Sequence, residues 1–173
     1  VVTDFGDMDG ILPQEVSSMY LVRDEADQRW YIFITAGFNQ ATSELGRIDF
    51  GTSLANTPNI VTFGNLENKL NTPRGVFVAK EGDKWYGFLV NYTTNELIRF
   101  NLDSNISLTP TLTDVIPAAA VLTGPTDIGA IMDNGQWYFF VTNESGSTIA
   151  RLDMGSLTNT QVPATIISNT LTT

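Results

Sequence analysis

Glu15, Arg74 and Asp127 stand one or two residues after a proline that recurs along the chain, Pro13, Pro73 and Pro125. They differ from one another where the surrounding residues agree. A ligand site built on a repeated scaffold should show that pattern, and ordinary drift among surface loops produces it too. The chemistry open to them is narrow, because the chain has no histidine and no cysteine. A histidine general base, a Ser-His-Asp triad, a thiolate nucleophile and most transition-metal sites are therefore excluded within it. Hydrolysis would need carboxylates working with a hard cation, or a paired acid and base.

The densest acidic cluster is DFGDMDG, with Asp4, Asp7 and Asp9 before Gly10. Short aspartate-rich turns supply the oxygen ligands that calcium requires, so these three are the candidate metal ligands and calcium the one candidate cofactor. The EF-hand spacing fails, because Phe5 stands where its first aspartate would be. A solvated turn is the competing reading.

The formal charge is −10, from 19 acidic and 9 basic residues, with no block of like charge. Such a field repels phosphate backbones, which makes nucleic acid and anionic membranes poor partners and leaves cations and basic surfaces open. Solubility alone also accounts for it. No apolar run is long enough for a transmembrane helix and no signal-peptide pattern is present. The sequence opens on Val1-Val2, as an excised or mature segment of a larger precursor would. The lack of cysteine does not decide the compartment.

The elements that must position these residues repeat. Trp30, Trp85 and Trp137 are each followed by tyrosine and lie 55 and 52 residues apart. Arg47, Arg99 and Arg151 recur every 52 residues and open the tetrads RIDF, RFNL and RLDM. Pro58, Pro110 and Pro163 close the units. A period near fifty residues points to a propeller or solenoid. Each unit reads as four short strands punctuated by Gly, Asn, Asp and Pro, with no apolar period of helical type. The second strand, WYGFLVN or WYFFVTN, is apolar on both sides of its pleat and must be covered on both.

The expected fold is therefore all-β, with propeller blades at 13–68, 73–116 and 125–171 and the last strand of a preceding blade at 1–8. The first unit carries two insertions, RDEADQ at 23–28 and FNQATSE at 38–44. Three blades and a lone strand cannot close a ring of four to eight. The expectation is that further blades of a longer chain, or a second copy, complete it.

Each candidate has a structural counter-reading. The tryptophans are better read as core between blades than as sugar platforms. The arginines, one per blade, are better read as structural, pairing with a carboxylate or loop carbonyl between blades. The sequons at Asn91, Asn105 and Asn143 carry little weight, since Asn91 and Asn143 fit a turn.

The segment LVNYTTNELIRFNL, 89–102, resembles the NHL-type propeller repeat, in which an Asp or Asn ends the second strand and another Asn follows in the turn. Asn91, Asn95 and Arg99 occupy those places, and Asn143 matches in the third unit; the first unit has Ala36. The WYGFLVN, LIRFNL and NTP elements are also similar to repeats in large surface or secreted proteins of the Bacteroidetes. The resemblance implies an extracellular or cell-surface location and a non-enzymatic binding or adhesion module with a protein or glycan ligand. In propellers the innermost strand lines the channel, which puts Glu15, Arg74 and Asp127 at its rim. The alternatives are a calcium-dependent hydrolase or lyase with its site in the channel, and a structural spacer.

Overall fold

The computed structural model describes residues 4, 6–7, 10–118 and 120–167. It is all-β, with twelve strands and no helix among the described residues. The first sheet is β1 (Val16–Asp24), β2 (Arg29–Ala36), β3 (Glu44–Gly51) and β4 (Asn59–Thr62). The second is β5 (Pro73–Glu81), β6 (Lys84–Asn91), β7 (Glu96–Asp103) and β8 (Thr111–Ile116). The third is β9 (Pro125–Asp133), β10 (Gln136–Asn143), β11 (Thr148–Gly155) and β12 (Ala164–Ile167). Each sheet is an antiparallel meander in chain order.

Local chemistry sets the hairpins. Asn134 and Gly135, both with positive φ, form the two-residue turn between β9 and β10, the backbone twist that tight hairpins favour. Opposite each tryptophan the third strand bulges at a left-handed residue, Gly51, Asp103 or Gly155. That residue lies four positions after the repeat arginine, so one bulge ends the third strand of every sheet.

The first strands lie side by side, β5 between β1 and β9. Glycine permits the closest approach. A methyl group on Gly75 would overlap the backbone of Asp127 and Ile128, so β5 could not lie this near β9 with any larger residue.

Two cores follow, one on each side of the second sheet. Between the first and second sheets pack Tyr31, Phe33 and Leu45 against Val76, Leu89 and Phe100. Between the second and third pack Phe77, Phe88 and Leu97 against Phe139, Val141 and Leu152. Phe88 and Phe139 meet edge to face at 4.7 Å. In β6 only Lys84 is exposed, which realises the double coverage expected of a strand apolar on both faces. In β10 the burial alternates, because only the face toward the second sheet is covered. Among the described residues no sheet covers the outer face of the first, where Met19 is 69% exposed, or of the third, where Ile131 is 59% exposed. The arrangement is consistent with propeller-like blades, and among the described residues the row does not close into a ring.

The register corrects one landmark. Val16 pairs with Ala36 as Pro73 pairs with Asn91 and Pro125 with Asn143. The counterpart of Pro73 and Pro125 is thus Val16, and Pro13 lies before the strand. Most of 1–8, including any strand there, falls outside the described residues, as does Ser168 at the expected end of the last strand.

Candidate functional site

The ends of β1, β5 and β9 at which the chain arrives from the previous sheet form the leading end of the molecule. Each inner strand is preceded there by a residue with positive φ: Glu15, Thr72 or Gly124. The carbonyl of each accepts a hydrogen bond from the turn after the second strand, from Gly37 N, Tyr92 N and Glu144 N at 2.9–3.2 Å. Glu15 is therefore the counterpart of Thr72 and Gly124, while Arg74 and Asp127 lie one and two residues inside their strands. Sequence spacing aligned the three through the prolines as residues of the loops entering the inner strands; Glu15 lies in such a loop, and Arg74 and Asp127 just inside their strands.

The three candidates share this end of the molecule. Ser17 Oγ donates to Pro73 O at 2.7 Å, and Thr35 Oγ1 to Arg74 O at 2.6 Å, which ties the first sheet to the start of β5. Gly75 rests on the backbone of Asp127. Glu15 and Asp127 are exposed and Arg74 is half-buried. The Arg74 guanidinium lies over the Tyr92 ring at 5.6 Å, and no ion pair joins it to a carboxylate among the described residues. A cation held by an aromatic face without a carboxylate partner keeps its donors for an incoming anion or hydroxyl. Among the described residues Asp127 accepts only the adjacent Ile128 N–H, at 2.9 Å, on one carboxylate oxygen.

The first-sheet insertion at 38–44 is part of the same end. Asn39 caps it by accepting Ala41 N and Thr42 N, and Ser43 Oγ accepts Thr72 N at 3.0 Å. Gln40 Nε2 donates to Asn68 O at 2.9 Å, and this joins the insertion to the turn before β5. In that turn Leu66, Glu67 and Asn68 all have positive φ. Three successive non-glycine residues in the left-handed region store strain, and such strain clusters at ligand-contacting segments. Phe38 projects from the insertion largely exposed. Spacing alone marked the insertion, but gave no sign of the left-handed turn, because none of its three residues is a glycine.

The turn asparagines are structural. Asn91 is fully buried; its Oδ1 accepts Asn71 N at 3.0 Å and its Nδ2 donates to Lys69 O at 2.7 Å. Asn143 repeats this with Thr123 N at 3.1 Å and Val121 O at 2.8 Å. Each clamps the loop leading into its own sheet, which leaves the sequons at both positions buried.

The opposite end is held by the arginines. Arg47 Nη1 donates to the carbonyls of Ile106 and Leu108 at 2.9 and 2.8 Å, in the β7–β8 loop of the second sheet. Arg99 Nη1 donates to Leu157 O and Asn159 O at 2.8 and 3.1 Å in the corresponding loop of the third, and Arg99 also pairs with Asp114. Each latches the following sheet, the structural role expected of one arginine per unit. Among the described residues no sheet follows Arg151, which pairs there with Asp153 at 2.8 Å. Burial pulls the Arg47 guanidinium below its ordinary pKa, with Tyr31 and Asp49 opposing the shift. Burial pushes the Tyr31 phenol up, against the hydrogen bond from Arg29, and pushes Tyr20 up as well.

The proposed calcium ligands Asp4, Asp7 and Asp9 fall only in part within the described residues. Asp4 Oδ1 accepts Gly6 N at 2.8 Å, Asp4 and Asp7 are exposed, and Asp9 lies outside the described residues. Of the tryptophans, Trp85 is buried, while Trp30 and Trp137 are half-buried, Trp30 under the Arg23 guanidinium and Trp137 against Phe77.

No family model and no curated protein matches the chain.

Proposed function

We propose that the chain is a segment of an NHL-like β-propeller that acts as a non-enzymatic binding module, its ligand surface at the leading end of the inner strands. The observation that carries the proposal is Arg74: its guanidinium is held over Tyr92 without a carboxylate partner, on a strand packed directly against the one that bears Asp127. Side by side, a cation and a carboxylate with unused hydrogen-bonding capacity suit a ligand rich in hydroxyls or of mixed charge, such as a glycan or a protein loop. The exposed Phe38 ring and the left-handed turn at 66–68 supply an aromatic face and a rigid rim at the same end. Placement at the cell surface or outside the cell rests on the resemblance of the WYGFLVN and LIRFNL elements to exported repeats.

The test is a glycan array and a surface-peptide panel probed with the intact chain, followed by titration of any ligand found. Arg74→Ala and Asp127→Ala should each weaken binding at least about tenfold, the scale of a lost charged contact. Loss of binding on Arg151→Ala, with no effect of the two leading-end changes, would move the site elsewhere. An absence of ligands across both panels would favour the spacer reading.

A further inference from the structure

The two uncovered faces of the molecule are the two halves of an interface that it already makes twice. In the first sheet Val22, Tyr31, Phe33, Leu45 and Arg47 face the second sheet, and all except Val22 are buried there. The same register positions in the second sheet are Ala79, Tyr86, Phe88, Leu97 and Arg99, all buried against the third. In the third sheet they are Ile131, Tyr138, Phe140, Ile149 and Arg151. Apart from Arg151 that set is apolar; among the described residues no sheet covers it, and Ile131, Tyr138, Phe140 and Arg151 line a shallow groove with Asp133.

The receiving half is on the first sheet. The second sheet meets its predecessor with Val76, Val78, Leu89 and Phe100, and with the buried Ile106 of the β7–β8 loop. Their register counterparts on the outer face of the first sheet are Met19, Leu21, Ile34 and Ile48, and in its β3–β4 loop Leu54; Met19 and Leu21 are exposed, Ile48 is half-buried and Ile34 is already buried. Leu54 lies seven residues after Arg47, as Ile106 lies seven after Arg99. It is 43% exposed where Ile106 and Leu157 are fully buried. The carbonyls of Leu54 and Asn56 are thus the counterparts of those that Arg47 and Arg99 bind, and no latch from a preceding sheet reaches them. Met19, Ile34 and Ile48 line a second shallow groove on that face.

We infer that the outer face of the third sheet docks onto the outer face of the first sheet of a second copy of this chain, with Arg151 of one copy latching the Leu54 and Asn56 carbonyls of the other. The interface is head to tail. Two copies related by a twofold axis would form it twice and join three sheets to three, a ring of six, within the range in which propellers close. The contact is mainly apolar and each copy carries a formal charge of −10, so added salt should tighten the association by screening the repulsion.

Sedimentation velocity of the intact 173-residue chain, from nanomolar to near-millimolar concentration, tests this. A two-chain species should form and should strengthen with salt. Arg151→Asp and Leu54→Asp lie on uncovered surfaces and should leave the circular dichroism spectrum unchanged, and each should weaken association at least about tenfold through an unpaired buried charge. A mixture of the two variants keeps one intact interface, the unaltered third-sheet face of Leu54→Asp on the unaltered first-sheet face of Arg151→Asp, and should associate more tightly than either variant alone. A chain that is monomeric throughout overturns the inference. So does a dimer insensitive to both substitutions, or a mixture no tighter than its components, which would mean like faces pair with like.

Discussion

β6 and β10 are nearly the same strand in sequence, WYGFLVN and WYFFVTN, yet one is buried on both faces and the other on one. Phe88 is wholly buried and its counterpart Phe140 is 37% exposed. Nothing within either strand causes the difference; the second sheet has a neighbour on each side and the third has one. Burial in this protein is therefore a property of the stack, and the sequence of a unit specifies which residues would be covered if a neighbour stood there. The same holds for Arg99 and Arg151, one latched to two carbonyls of the next sheet and the other left with Asp153.

Substitutions at matched positions can break that comparison. The largest effect is expected at the phenylalanines: Phe88→Ala should cost about 3–5 kcal/mol in urea unfolding, the scale of a large side chain lost from a packed core. Phe140→Ala in dilute solution should cost roughly 1 kcal/mol or less, as most surface changes do. Equal losses would mean that the third sheet is covered in solution by something else.

Glycines give a second pair. A methyl group on Gly87 would fall inside the Phe100 ring, whereas one on Gly129, on the uncovered face of the third sheet, would meet open space. Gly87→Ala should therefore cost about 1–3 kcal/mol through overpacking, and Gly129→Ala should be neutral or slightly stabilising. Thermal melting of the two variants measures both.

The turn asparagines sharpen the comparison by removing the neighbour from it. Asn91 and Asn143 make matching bonds to the loops that lead into their own sheets, so replacing either with alanine should cost the same, about 1–3 kcal/mol for buried backbone groups left unpaired. A much smaller loss at Asn143 would show that the third sheet is loosely folded and not merely uncovered.

The smallest effect lies in alkaline solution. Burial raises the pKa of Tyr20 and Tyr31 in the folded chain, so above the unfolded tyrosine value of about 10 the folded state holds protons that the unfolded state has released. Stability is full below that pH and falls as pH rises toward the folded values. Tyr31→Phe and Tyr20→Phe should each flatten the decline, measured as unfolding free energy against pH.

The strands, the repeat and the structural role of the arginines were legible in the sequence because each leaves a signature at a near-fixed spacing: a double-faced apolar strand, a Trp-Tyr pair every 52 to 55 residues, an arginine every 52. The candidate site was legible in part. All three candidates lie at the entry to the inner strands, Glu15 in the loop and Arg74 and Asp127 just inside their strands, but they are not register equivalents, because Pro13 imitated a landmark whose true counterpart is Val16. A proline fixes φ without fixing register, and only the pairing of Val16 with Ala36 separates the two. The left-handed turn at Leu66, Glu67 and Asn68 was not legible, since none of its residues is a glycine and the contact to Asn68 O comes from Gln40 in the distant insertion.

The central claim, that each sheet is held by the arginine of the sheet before it, is tested most directly by the unfolding free energies of Arg99→Met and Arg151→Met, compared at a dilution where sedimentation shows single chains. Loss of Arg99 strips two carbonyls and Asp114 of a buried charged donor, and should cost at least about 2 kcal/mol more than loss of Arg151. Equal losses at the two positions would contradict the account.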